Sequence, residues 1–262
     1  MQNKGRIQQD FVASGGFCGI IFVSKFRGQL MSINRLLLTE SAKSLFDLTL
    51  DEDSVDTLEA YYDAVVEANK EFNLTAITAK DEFVVKHLID SLAGVGFIPE
   101  GAKLIDVGSG GGFPSFPIAS VRKDVEVTAL DSTAKKMNFV GATARFLGVK
   151  NLKTVVGRAE EMKDMFCQFD VVTARAVSAL PILIEICSPL IKVGGRMIAY
   201  KTDESELDLS KTALKTLNLT HTNTFSFNLP NGDRRCILVF EKIAPTPKQY
   251  PRQYGQIKKR PL

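Results

Sequence analysis

The sequence predicts an α/β fold: a doubly wound, mainly parallel sheet with a closing antiparallel hairpin, preceded by a small helical region. Three observations carry this. From residue 103 onward, short β-rich runs alternate with amphipathic stretches, the pattern of strands joined by crossover helices. A glycine-rich turn, LIDVGSGGGFP at 104–114, follows the first of those runs directly. The last two runs are separated by too few residues for a crossover, so they must pair antiparallel.

The elements follow in order. SVDTLEAYYDAVVEANKEF places Val55, Leu58, Tyr62, Val65, Val66 and Phe72 at helical spacing, with Ser54 as its expected N-cap. DEFVVKHLIDSL (81–92) repeats the pattern through Val84, Leu88 and Leu92. KLIDV (103–107), VEVTALD (125–131), LKTVVG (152–157), FDVVTA (169–174) and GRMIAY (195–200) read as strands. TAKKMNFVGATARFLG (133–148) and VSALPILIEICSPLI (177–191) read as the helices between them. THTNTFSFNLP (220–230) and RRCILVFEKI (234–243), with only NGD between, form the hairpin. The chain thus divides into an extension (1–31), a helical region (32–98), the sheet domain (99–243) and a basic tail (244–262).

At 262 residues, with 45% hydrophobic and 24% charged content, the chain has the composition of a globular protein with a sizeable core. Its net charge of +3 is unevenly placed. From Lys242 to the end stand six basic residues and no acidic one, which leaves the rest at about −3. A basic tail on a mildly acidic body points to a polyanionic partner. Cys18, Cys167, Cys187 and Cys236 are scattered, and there are only two histidines. No zinc site or disulfide framework is therefore expected, and a cytoplasmic location is. FCGIIFV (17–23) is too short to span a bilayer. With helical patterning starting after Met31, residues 1–31 read as an extension that adds nothing to the fold.

The glycine turn rejects two common ligands. A dinucleotide fingerprint would need glycine at 113, where the chain has Phe113, and no Gly-Lys-Ser/Thr follows to make a P-loop. The pattern is D-x-G-x-G-x-G: Asp106, Gly108, Gly110, Gly112. A carboxylate at this strand tip would repel a pyrophosphate but suits the sulfonium and ammonium of S-adenosylmethionine. Asp131 closes the second strand, 23 residues beyond Gly108. An acid there accepts from ribose hydroxyls in dinucleotide folds, and it could equally cap the next helix. Together the turn, the acid and the hairpin favour a methyltransferase. The chain has no Pro-Cys pair for cytosine C5 chemistry and no Asp/Asn-Pro-Pro-aromatic motif for an exocyclic amine.

NLTAIT, DEFVVKHLIDSL, LIDVGSGGGFPSFPIA, LDSTAKKMNFV, GRAEE, VVTARAV and TPKQYPRQYG together resemble, in this order, the bacterial small-subunit (16S) ribosomal RNA guanine-N7 methyltransferases. That family is also called glucose-inhibited division protein B. The resemblance runs from about residue 34 to the end. It implies an S-adenosylmethionine pocket with Gly108, Gly110 and Gly112 in the turn beside Asp106, Phe113 against the cofactor, and Asp131 on the ribose. Ala159 and Glu160 would flank the adenine. Arg175 would stand where cofactor and substrate meet, as the residue that aligns them. It also implies a monomer with small-subunit ribosomal RNA or the ribosomal particle as partner, and neither membrane nor metal. Where the family's loop often has alanine or proline, this chain has Gly111.

Several of these residues have simpler readings. Phe113 suits a core, and Glu160 suits first-turn helix charge. His87, Asp90 and Ser91 share one helix face, as a structural cluster or with His87 as a substrate contact. Arg175, charged at the tip of a central strand, is the least easily explained by structure alone. Lys201, at the next strand's tip, is a companion candidate for RNA. In the tail, Pro245, Pro247, Pro251 and Pro261 argue against helix. Tyr250 and Tyr254 alternate there with Arg252, Lys258, Lys259 and Arg260, which suits stacking on bases and contact with phosphates; a solubilising end is the other reading. Two other functions stay open: methylation of another RNA or of a protein, and non-catalytic RNA binding on a retained fold.

Overall fold

The computed structural model describes residues 33–262, so the extension expected over 1–31 lies outside the described residues. Helices α1 (Arg35–Phe46) and α2 (Glu52–Asn69) come first. The expected N-cap of α2 shifts: Asp51 holds that place and accepts from the Ser54 amide at 2.7 Å. The 81–92 stretch is a composite of α3 (Lys80–Phe83), a π-helical turn (Val84–Ile89) and α4 (Asp90–Leu92).

The sheet domain alternates β1 (Lys103–Val107), α5 (Ser115–Val121), β2 (Glu126–Asp131), α6 (Ala134–Phe146) and β3 (Leu152–Val156). There follow β4 (Phe169–Arg175), α7 (Leu180–Cys187), β5 (Ile191–Lys201), α8 (Lys211–Leu217), β6 (Leu219–Asn228) and β7 (Arg234–Lys242). The strand order is β3-β2-β1-β4-β5-β7-β6. The first five strands are parallel, and the hairpin β6–β7 joins β5 antiparallel. Chain order reverses between β1 and β4, and doubly wound sheets bind ligands at the carboxyl ends of the strands flanking that reversal. The glycine turn leaves β1 there, and Arg175 ends β4 there.

The inner strands β1, β2 and β4 are buried almost end to end because both faces are covered. Leu104, Val127, Ala129, Val171, Ile198 and Val239 pack in one core with Leu38 of α1, Leu58 and Tyr61 of α2, and Val140 of α6. Ile105, Val107, Leu130, Val172, Met197 and Leu238 pack in the other with α7 and α8. Period two sends neighbours along a strand to opposite cores, and each fully buried aliphatic side chain contributes about 1.5–3 kcal/mol. The helical region shares the first of these cores with the sheet.

The tail departs from expectation. Between Pro251 and Pro261 it forms a short helix, α9 (Tyr254–Lys259), whose Ile257 is completely buried in the second core. The prolines bracket the helix instead of preventing it, because neither falls inside it. Among the described residues no helix is long and apolar enough to cross a membrane.

One polar side chain ties the sheet's first edge to its helices. Asn151, just ahead of β3, shares the two hydrogens of its Nδ2 among the carbonyls of Ala119, Arg122 and Val125, each at 3.0–3.1 Å. Asn151→Ala leaves these acceptors without that donor and should lower unfolding free energy by about 1–2 kcal/mol. Urea denaturation reads this directly; a wild-type midpoint would show that the tie contributes nothing.

Candidate active site

The glycine turn is held from beneath and from one side. Beneath it, Asp106 is fully buried. Its carboxylate accepts from Thr173 Oγ1 at 2.9 Å and from the Ser115 amide at 3.2 Å. It thereby joins β1, β4 and the first N–H of α5. Burial raises its pKa to about 6, although bonds from Ser109, Thr173 and Ser115 pull the other way. The Gly108 and Ser109 amides both donate to Leu130 O at the end of β2. Asp106, expected at the cofactor, is enclosed by the groups packed on it and supports the turn from beneath.

From the side, α2 clamps the turn. Tyr61 Oη donates to Gly111 O at 2.6 Å, and its ring stacks on Phe116 at 3.5 Å between centroids. Gly112 has φ of +86°, and a Cβ there would stand 2.3 Å from the Tyr61 hydroxyl. Any side chain would break the clamp. Gly110 has φ of +57° too, but a Cβ there would meet nothing nearer than Gly108 O at 3.9 Å. Its requirement is the left-handed backbone alone. The Gly110 amide donates to Asp131 Oδ2 at 3.0 Å, and the Thr133 amide to Asp131 Oδ1 at 2.8 Å. Asp131 thus sits on the turn and at the start of α6 at once, partly open to solvent.

Arg175 stands across the switch point in a dense network. Its Nη1 donates to Asp90 Oδ2 at 2.8 Å and to Lys86 O at 2.9 Å, and its Nη2 meets His87 Nδ1 at 3.2 Å. The π-helical turn makes this possible. The Asp90 amide bonds to Val85 O and His87 O, not to Lys86 O as an α-helix would require. Lys86 O is therefore available to the guanidinium. Two Arg175 hydrogens, one on Nη2 and one on Nε, have no hydrogen-bond partner among the described residues. Asp90 is shared: Arg235 Nε of β7 approaches its other oxygen at 3.4 Å.

His87 is nearly buried, stacked on Phe113 at 4.4 Å and 9°, with Nε2 at 2.6 Å from Thr75 Oγ1. Burial, and then the neighbouring Arg175 charge, depress its pKa to about 3, so the ring is neutral. Arginine can only donate, so Nδ1 accepts and Nε2 carries the hydrogen toward Thr75. Both nitrogens are occupied, and the structural reading of the His87–Asp90 cluster fits this arrangement better than a free substrate contact. Phe113 is likewise a core ring, packed edge-on to Tyr61 and Phe83.

The other expected site residues are spread around this centre. Ala159 is buried, and Glu160 beside it has an Oε1 that is buried with no hydrogen-bond partner. Lys201 is not held out for RNA: its Nζ donates to Ser178 O at 3.1 Å and Glu206 Oε1 at 2.9 Å, bracing the entry to α7. Arg252 too is taken up internally, with Nε and Nη2 on the two oxygens of the fully buried Glu185 at 2.8 and 2.6 Å. Lys258, Lys259 and Arg260 remain exposed. Tyr61, Thr75 and Arg235 are the residues that sequence reasoning missed. Among the described residues no cluster of three or more His, Cys, Asp or Glu could hold a metal ion.

The family model for rRNA small subunit methyltransferase G matches residues 54–236. A ribosomal RNA small subunit methyltransferase G of Streptococcus sanguinis (strain SK36) is 43% identical over 215 residues, covering 79% of this chain and 91% of its own. Its counterpart in Leuconostoc citreum (strain KM20) is 39% identical over 224 residues, covering 82% and 94%. Among solved structures, the YcgJ protein of Bacillus subtilis aligns with a TM-score of 0.50 at 13% identity, over 60% of this chain and all of that one. That is a likeness of fold.

The neutral His87 has a measurable consequence. Its folded pKa, about 3, lies below the usual 6.5, so between these values the unfolded chain binds the proton and the folded one does not. The stability His87 contributes is present above pH 6.5 and is lost as pH falls toward 3. Wild type should lose stability faster than His87→Gln across this window in denaturant titrations. Asp106, raised to about 6, acts with opposite sign between about 4 and 6 in both proteins, so the difference isolates the histidine. Parallel curves would mean that His87 is charged in the folded protein.

Proposed function

The chain belongs to the rRNA small subunit methyltransferase G family, and on that premise we propose that it transfers a methyl group from S-adenosylmethionine to N7 of a guanine in small-subunit ribosomal RNA. The observation that carries this reading is the meeting of a left-handed glycine turn with a prealigned arginine at the sheet's switch point. We place the protein in the cytoplasm, acting as a monomer on ribosomal RNA or the ribosomal particle.

The residues present suit the cofactor. Gly110 leaves open space where a side chain would stand. The buried Oε1 of Glu160 makes no hydrogen bond among the described residues, although Arg158 Nη1 approaches it at 3.9 Å; it is an acceptor suited to the amino or hydroxyl donors of an adenosine, and Asp131 at the tip of β2 suits the ribose. When bound, S-adenosylmethionine supplies an electrophilic methyl group. The chain's part is to hold that cofactor rigidly, through the Asp106 support beneath the turn and the Tyr61 clamp beside it. Guanine N7 carries an in-plane lone pair and has no proton to lose, so no residue need act as a base. His87, neutral and with both nitrogens engaged, is consistent with such a site. Arg175 is the residue we assign to aligning the base, through its two unused hydrogens; a guanidinium is suited to a guanine O6. Catalysis of this kind rests on positioning and fixed charge.

Two measurements test the proposal. Ribosomal RNA from cells lacking this protein should be missing one N7-methylguanine in the small subunit when mapped by mass spectrometry, and the purified protein should restore it. If every such nucleotide persists, the assignment fails. Arg175→Lys keeps the charge but loses the planar fork, and should lower methyl transfer about a hundredfold or more, with calorimetric affinity for S-adenosylmethionine retained within a fewfold. A wild-type transfer rate would remove Arg175 from the alignment role.

A further inference from the structure

The tail's cations fall into two groups by their surroundings. Lys242 and Arg252 are internal: Lys242 Nζ donates to Leu217 O at 2.5 Å and Thr246 Oγ1 at 2.6 Å, and Arg252 grips Glu185. Lys248, Lys258, Lys259 and Arg260 are exposed and pair with no carboxylate among the described residues. The last three stand together at the end of α9. That helix is fixed to the body at three points. Ile257 is buried in the core that also holds Ala159 and Leu130. The Tyr254 ring lies under the Arg158 guanidinium, 5.5 Å from its centroid. Just before the helix, Arg252 is bidentate on Glu185, and its amide donates to the same carboxylate at 3.0 Å. Arg158 immediately precedes the Ala159–Glu161 turn, so the first residue of the helix meets the segment that carries the expected adenine-side residues.

We propose that the tail is a docked, prebuilt platform for the phosphate backbone of the substrate RNA, with Lys258, Lys259 and Arg260 as its contacts and the Glu185–Arg252 pair as its lock. This rests on the reading of the substrate as ribosomal RNA and adds where the strand lies beyond the methylated base. Three adjacent exposed cations, unpaired among the described residues and carried on a helix docked to the body, fit a polyanion. An anionic membrane fits less well, because the helix turns its one large aliphatic residue, Ile257, inward and leaves none to insert. Docking also distinguishes the platform from a loose arm: its charges are presented without an ordering cost at binding.

The test uses the full chain and unmodified, in vitro transcribed small-subunit ribosomal RNA. Replacing Lys258, Lys259 and Arg260 together by alanine should flatten the slope of log affinity against log salt by about 2 to 3, with cofactor affinity and melting temperature retained. An unchanged slope overturns the platform while leaving the methylation reading intact. Glu185→Leu fills the buried position with an apolar side chain and frees Arg252, with release confirmed by trypsin cleavage after Lys248 or Arg252. This variant makes the protein more positive by one charge, so a mobile arm would bind RNA as tightly or more so; a docked platform binds several-fold more weakly. Equal or tighter binding by the released tail overturns the lock. If wild-type protein does not methylate small-subunit RNA at all, the substrate reading and the platform fall together.

Discussion

The Asp106 carboxylate lies fully buried at the end of β1 and binds groups from three different segments: Thr173 on β4, Ser115 at the start of α5, and Ser109 within the turn. Removing a carboxylate from water is costly, and burial raises its pKa to about 6 against the lowering effect of those bonds. The fold accepts this penalty at the point where chain order reverses. There the backbone must turn sharply, expose left-handed glycines and still hold one shape. A buried acceptor with three donors over-determines the turn in a way that apolar packing, which has no direction, does not.

The helical region supplies the other half of the constraint. Tyr61 reaches from α2 to the turn's carbonyl, and Tyr200 Oη on β5 donates to Ser91 O of α4 at 2.9 Å. Between these ties the π-helical turn presents Lys86 O, His87 and Asp90 to Arg175. A π-helical turn gives up regular hydrogen bonding and is found most often at functional sites. Here the displaced register has a visible use, since the carbonyl it frees is one of the three groups fixing Arg175. The helices are therefore a wall of the site as much as a cover for the sheet.

How much of this was legible in the sequence depended on the range of each interaction. The strands were readable because parallel strands covered on both faces leave continuous apolar runs, and KLIDV through GRMIAY fall on observed strands. Asp106 and its glycines were readable from spacing, but the spacing did not show that the carboxylate also supports the turn from beneath. Tyr61 was not readable: helical period identifies a buried face but not a hydroxyl's partner 50 residues away. The π-helical turn leaves no mark on an apolar pattern, and Arg235 meets Asp90 only because the hairpin folds β7 back beside β5. In the tail, prolines were weighed and the anchor was overlooked. Glu185, a lone charge in the apolar run LPILIEIC, was the available signal, because a carboxylate at such a position needs a cation.

The charges around Arg175 bear on what kind of chemistry the site can support. Asp90 is bonded to Arg175 and approached by Arg235, which Asp233 Oδ2 also meets at 3.4 Å, so both guanidinium charges have carboxylates beside them. His87 adds none, because burial and Arg175 keep it neutral. Methylation at a guanine N7 relocates one positive charge within the bound pair and creates no new one. A pocket for that reaction has no developing oxyanion to stabilise and no proton to remove, and a strong surplus of cations would oppose the methylated base. What remains useful is a donor array that cannot rearrange while two ligands are held at reacting distance, where misplacement of about 1 Å can cost a hundredfold in rate. A guanidinium fixed by a carboxylate, a main-chain oxygen and a neutral imidazole has little freedom to drift. Loss of any one of these three partners would give the guanidinium room to move.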